Sequence, residues 1–177
     1  MFTNRVTTQT ASLCPHTGHV FLSPEMLPTG DSVTFKSAPF FNRPDVYLPP
    51  PVEVRRIAGH QASYVRPPPV VFHSMGLLVK YGQLITNAEA QCLWAIKRYL
   101  PEVPVPDVYG WCRDGKDTFI YMEFIPGVTL EQCWNSLNEE EKHSVSEQLR
   151  QMVQALQRFK QNPADPFIGK CSPAWFI

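Results

Sequence analysis

The chain has 177 residues, 44% of them hydrophobic, enough to bury one modest core and no more than one full domain. Lysine plus arginine and aspartate plus glutamate both number 16, so the formal net charge is zero and no long-range field draws the protein to nucleic acid. Apolar runs fall short of a membrane span, Met1 to Gly30 lacks the apolar core of a signal peptide, and the five cysteines form no C-x-x-C pair. The expectation is a cytoplasmic protein with reduced thiols and neither nucleic acid nor membrane as partner.

Eleven of the 18 prolines fall in residues 1 to 69, including Pro49-Pro50-Pro51 and Pro67-Pro68-Pro69. Because proline lacks a backbone donor and blocks helix interiors and central strands, residues 1–63 are expected to be largely disordered or extended. Cys14, His16 and His19 sit close together there, but three ligands without a fourth or a scaffold read as a solvated tail rather than a metal site.

From Val70 the texture changes. Val70-Val71-Phe72-His73 and Leu77-Leu78-Val79-Lys80 are β-rich runs around Ser74-Met75-Gly76, which predicts a hairpin. Thr86 or Asn87 then caps a helix through about Leu100, with Glu89, Leu93, Ile96 and Leu100 on one face. A second hairpin is expected from Val108–Cys112 and Thr118–Phe124 around Arg113-Asp114-Gly115-Lys116-Asp117, since Asp-Gly is a strong turn signal. After Pro126-Gly127, Leu130, Cys133, Trp134 and Leu137 make a short amphipathic piece. Asn138 and Glu141 form a capping box that opens a long helix, residues 139–160, with Val145, Leu149, Met152, Val153, Leu156 and Phe159 as its apolar stripe.

Two residues stand out chemically. Lys80 closes an apolar strand, where burying an ammonium is costly without an anion. Glu89 shares its stripe with Leu93 and Ile96, unusual for a carboxylate unless it has a partner, and Lys80 is the natural one. The plainer alternatives are a lysine that snorkels to water and a first-turn glutamate favoured by the helix dipole.

The ordered set of strand lysine, helix glutamate and Met122-Glu123-Phe124-Ile125-Pro126-Gly127 resembles the small lobe of the aminoglycoside phosphotransferase family, especially its fungal branch, which shares the protein kinase fold. Pro104-Val105-Pro106, Tyr109-Gly110, Val128-Thr129-Leu130, the Trp134–Lys142 stretch and Ile168-Gly169 extend the similarity over about residues 64 to 170. The resemblance implies an α+β fold over residues 64–177: a kinase-like small lobe of antiparallel sheet plus one helix, a hinge, and the first helices of an incomplete large lobe. It also implies that Lys80, held by Glu89, addresses the phosphates of ATP, and that the Glu123 carbonyl and Ile125 amide bond adenine.

The departures from the family pattern are specific. A glycine-rich phosphate loop is not identifiable, and no histidine precedes an aspartate by two as in the H-G-D-x…N catalytic loop. Asp165, the one aspartate after Asp117, reads as a turn residue, so the chain carries neither catalytic base nor magnesium-binding aspartates. The apolar ending Cys171–Ile177 suggests a domain cut short before the catalytic loop. The expectation is a truncated phosphotransferase-like protein with weak ATP affinity, no Mg2+ site and no catalysis. The rival reading is a non-catalytic interaction or regulatory protein whose helix 139–160 self-associates or binds a protein partner.

Overall fold

The structure, a computed structural model, describes residues 18–64 and 66–161. Cys14 and His16, Asp165 and the apolar ending from Cys171 lie outside those residues. The fold is mixed α+β, with a five-stranded antiparallel sheet, a two-stranded parallel pair and four helices among the described residues. In chain order the elements are β1 (Val20–Leu22), β2 (Ser32–Thr34), α1 (Pro51–Ala58), β3 (Val70–Phe72), β4 (Leu77–Gly82) and α2 (Asn87–Tyr99). There follow β5 (Val108–Asp114), β6 (Asp117–Glu123), α3 (Leu130–Cys133), α4 (Glu139–Leu156) and β7 (Phe159–Gln161). No helix among the described residues is long and apolar enough to cross a membrane.

Both hairpins read from the sequence are present. β3 pairs with β4 in the register Val70↔Val79 and Phe72↔Leu77, and between them Gly76 takes φ 62, a left-handed conformation that costs glycine nothing. β5 and β6 close on Asp114↔Asp117, so these strands run further into the turn than β-propensity alone indicates. The large sheet has the order β2-β5-β6-β4-β3, and its three inner strands, β5, β6 and β4, are long and mostly buried.

Strand alternation divides the core into two layers. Leu77, Val79, Tyr81, Phe119 and Tyr121 face one side, where they pack with Phe40, Val54, Val70, Met75 and Tyr109. Leu78, Trp111, Ile120 and Met122 face the other, against Ala90 and Leu93 of α2. A third cluster joins Ile96, Leu100 and Val103 to Ala155, with Met152, Phe159 and Val20 at its margin.

The Pro-rich segment departs from its expected extended or disordered state. From residue 18 it supplies β1, β2, α1 and several 3₁₀ turns, and Val54 and Phe40 are as buried as the central strands. The prolines permit this because of where they fall. Pro51 is the first residue of α1, where a helix has no intrahelical use for an N–H, and the Pro50 carbonyl accepts the amides of Glu53 and Val54 at 2.9 and 3.2 Å. Phe40 then stacks on Tyr109 at 4.2 Å between ring centroids, and the Tyr121 hydroxyl donates to the Pro49 carbonyl at 2.8 Å. The layer is locked laterally by Arg55, which pairs with Asp117 at 2.8 Å, pairs also with Asp114, and lies over the Phe119 ring.

Helix α2 begins where expected, with Thr86 at the N-cap position, although the Thr86 side chain makes no capping bond. The Asn138–Glu141 capping box of α4 forms reciprocally, at 2.9 and 2.8 Å. Its far end differs from the expected residue 160. The helix stops at Leu156, and Phe159–Gln161 instead pairs in parallel with Val20–Leu22. The alternative wins because β1, distant in sequence, offers ladder partners such as the Val20 amide donating to the Arg158 carbonyl at 2.8 Å, while Phe159 joins the third cluster. Arg158, between the helix and β7, reaches to Glu102 and to the Gly18 carbonyl.

Gly110 sits at the irregularity in β5 where β2 adds to the sheet; a Cβ there would lie 2.4 Å from the Val33 carbonyl oxygen and 3.2 Å from Leu48. Only hydrogen fits between those backbones. Gly110→Ala is expected to destabilise the protein by about 1–3 kcal/mol and to release β2, read as a lowered thermal midpoint and faster amide exchange at Val33 and Phe35. An unchanged midpoint would show that β2 contributes little to the fold.

Candidate functional site

The site builds up from β4. Lys80 lies opposite Ile120 on the β4–β6 ladder, and alternation puts its side chain on the face shared by Leu78 and Ile120, toward α2. Helix α2 begins after a short turn, so Glu89 falls in its first turn with Ala90 beside it, fully buried against the sheet. Lys80 Nζ and Glu89 Oε1 are 2.5 Å apart. The sequence-derived pairing of these two residues is therefore present in the structure.

The pair is partly enclosed. The side chains are 32% and 24% exposed, so neither is sealed in the core. Glu89 Oε2 is buried and has no hydrogen-bond partner. A buried acceptor without a donor costs roughly 1–3 kcal/mol, which makes this oxygen the point in the site where an incoming donor, such as a water, gains most. On the opposite face of the same strand, burial raises the Tyr81 hydroxyl above the ordinary phenol value, so Tyr81 stays neutral and adds no charge near Lys80.

The segment expected to be the hinge begins at the far end of the same ladder. Glu123 pairs with Leu77, three residues along β6 from the partner of Lys80, a distance of about 10 Å at ~3.4 Å per residue. It is anchored from two sides. The Glu123 amide donates to the Asp107 carbonyl at 2.8 Å, its carboxylate accepts the Asp107 amide at 3.2 Å, and the Phe124 amide donates to the Gly76 carbonyl at 2.9 Å. Beyond these bonds the chain leaves the sheet, and Ile125 is 58% exposed. Lys80 and Glu123 thus lie along one pair of central strands, with Glu89 on the helix above them and Ile125 just past the end of β6.

Sequence reasoning missed the charged contacts of Asp107 with Lys97 and Glu123 around this segment. Asp107, which follows Pro104-Val105-Pro106, binds Lys97 of α2 at 2.8 Å as well as exchanging bonds with Glu123. No local pattern signals that link, because it joins three elements that meet only in the folded chain. Two open grooves occur elsewhere: one is lined by Arg43, Asp45, Ser74 and Met75, the other by Phe35, Trp94, Lys97 and Asp107. Neither includes Lys80 or Glu89. Among the described residues, no group of three His, Cys, Asp or Glu side chains is placed to hold a metal ion.

Comparison with known proteins adds no relative: no family model matches the chain, and neither a curated protein nor a solved structure is similar to it. The functional reading rests on the residues themselves.

A buried or half-buried ion pair is most sensitive to losing one member, since the survivor keeps its desolvation cost without its partner. Lys80→Met is expected to destabilise the protein by about 1–2 kcal/mol, and adding Glu89→Leu should recover part of that loss. Chemical denaturation of the two single variants and the double variant measures the coupling; strictly additive effects would show that the contact contributes nothing to stability.

Proposed function

We propose that this chain is a phosphotransferase-like nucleotide-holding lobe, in which Lys80, braced by Glu89, takes the phosphates of ATP and the segment Glu123–Ile125 takes adenine through its backbone. The observation that carries this reading is the Lys80–Glu89 ion pair, formed by a lysine on a central strand and a glutamate in the first turn of α2. A strand lysine needs no carboxylate to be tolerated at a sheet edge. Held by one in the interior of a sheet, it becomes a fixed positive charge, the arrangement that positions the α- and β-phosphates in kinase-type sites. Further support is the spacing along β4 and β6, since about 10 Å separates the lysine position from Glu123, a span suited to a nucleoside carrying phosphate.

The residues present suit binding better than transfer. Phosphoryl transfer needs a carboxylate to orient the acceptor hydroxyl and acidic ligands for magnesium, and the sequence offers no H-G-D-x…N pattern to supply them. The proposed activity of these 177 residues is therefore weak ATP binding without turnover, and phosphorylation of a small-molecule hydroxyl is the parental chemistry that the resemblance implies.

A second reading has its own observation. On α4, Leu149, Val153 and Leu156 are 46%, 53% and 36% exposed, an apolar face that suits a non-catalytic interaction protein.

Titration of the purified chain with a fluorescent ATP analogue distinguishes the two. The nucleotide-holding reading expects saturable binding with a Kd on the order of 1 mM, abolished by Lys80→Ala and unchanged by Lys36→Ala on the exposed surface. Binding that survives Lys80→Ala, or no binding at all by a folded protein, would overturn it.

A further inference from the structure

We propose that Asp107 is a positioning residue that ties the segment Glu123–Ile125 to helix α2, so that the two ends of the candidate nucleotide site are held at a fixed spacing. The inference rests on the nucleotide reading and extends it to what holds the two ends in place.

Three contacts carry it. Lys97 Nζ of α2 meets Asp107 Oδ1 at 2.8 Å. The Asp107 carbonyl accepts the Glu123 amide at 2.8 Å, and the Asp107 amide donates to the Glu123 carboxylate at 3.2 Å. The side chain of Asp107 therefore holds α2 while its backbone holds the last residue of β6. Helix α2 also carries Glu89, and Lys97 lies about 12 Å further along it at ~1.5 Å per residue. The helix is thus tied by charge at two points: Glu89 to Lys80 of β4 near its start, and Lys97 through Asp107 to Glu123 of β6 near its end. Those points are the phosphate end and the adenine end of the proposed site.

The covalent route from α2 to Asp107 supports the same conclusion. Pro101, Pro104 and Pro106 restrict φ along it. Leu100 and Val103 anchor it in the core, and the Val103 amide donates to the Leu100 carbonyl at 2.9 Å. A connector so restricted absorbs little of a displacement of α2, so Asp107 follows the helix. Packing of Ala90 and Leu93 against Ile120 and Met122 also holds α2 on the sheet, but apolar contact is non-directional, and the bonds of Asp107 add direction. The Lys97 and Asp107 side chains are 50% and 35% exposed, so their pair adds little to global stability and its use lies in geometry.

The test compares Lys97→Met with the unmodified 177-residue chain by amide hydrogen exchange and by titration. Two probes are used: the fluorescent ATP analogue, and inorganic triphosphate, which carries no adenine, as its competitor. The expected result is faster exchange at the Glu123 amide, with the thermal midpoint and exchange at Ile120 unchanged. The Kd of the analogue should rise about threefold, the size a part-exposed pair supports, while the inhibition constant of triphosphate stays the same. Lys97→Arg and the charge reversal Lys97→Glu/Asp107→Lys should restore both readouts. Unchanged exchange at Glu123 shows an idle surface pair and overturns the proposal. Equal weakening of both probes, or a lowered midpoint, shows general structural damage and overturns it as well. An unmodified chain that binds neither probe, with exchange at Glu123 still faster in Lys97→Met, sinks the nucleotide reading and leaves the tie between α2 and Glu123 standing.

Discussion

The strict alternation of β4 is the constraint on which the rest of the molecule depends. Leu77, Val79 and Tyr81 must all be dry on one face, and Leu78 must be covered on the other, so both sides of the sheet need a layer. Lys80 falls on the α2 side by the same parity. Its charge can remain there only because α2 starts close enough to bring Glu89 within 2.5 Å, and a shift of one residue in register would place the lysine among Phe119, Tyr121 and Val54 instead. The candidate site is thus a consequence of how the sheet is covered.

Covering the second face falls to the segment richest in proline. α1 and the turn around Phe40 form that layer, which buries Val54 and Phe40 and ties them down with the Arg55 clamp on the β5–β6 turn. Full burial of such side chains is worth roughly 1.5–3 kcal/mol each, while the part-exposed Arg55 pairs add specificity more than energy. The ammonium of Lys80 therefore works on one side of a sheet whose other side is sealed by residues far away in the sequence. The ties of that layer, Phe40 on Tyr109, Pro49 to Tyr121 and Arg55 to Asp114 and Asp117, run to β5 and β6.

The carboxyl-terminal part is attached differently. α4 meets the rest through Ala155, Met152 and the short parallel pair β1–β7, while much of its length is exposed. Its own stability comes from local devices: a reciprocal capping box, three acids in the first turn, and the Glu147–Arg150 pair, which holds the Glu147 carboxyl down at about 2. A helix that is locally well formed and sparsely packed keeps its shape without depending on the surface it presents.

Much of this was legible along the chain because the relevant physics is short in range. Hairpins at Ser74–Gly76 and Asp114–Asp117, the start of α2 after Thr86 and the Asn138 cap each follow from neighbouring residues, and the proximity of Lys80 to Glu89 follows from strand parity and nine residues of separation. What local pattern misjudged were the segments whose state depends on distant partners. Prolines 49 to 51 read as extended, yet fall where a helix begins and where Tyr121 needs an acceptor; residues 157 to 160 read as helix, yet Val20–Leu22 offers them a ladder. Local sequence is enough for most of the elements, their caps and the candidate ion pair, whereas which face each element covers and where α4 ends depend on the folded chain, because burial and backbone pairing are settled by partners as far as 72 and 140 residues away.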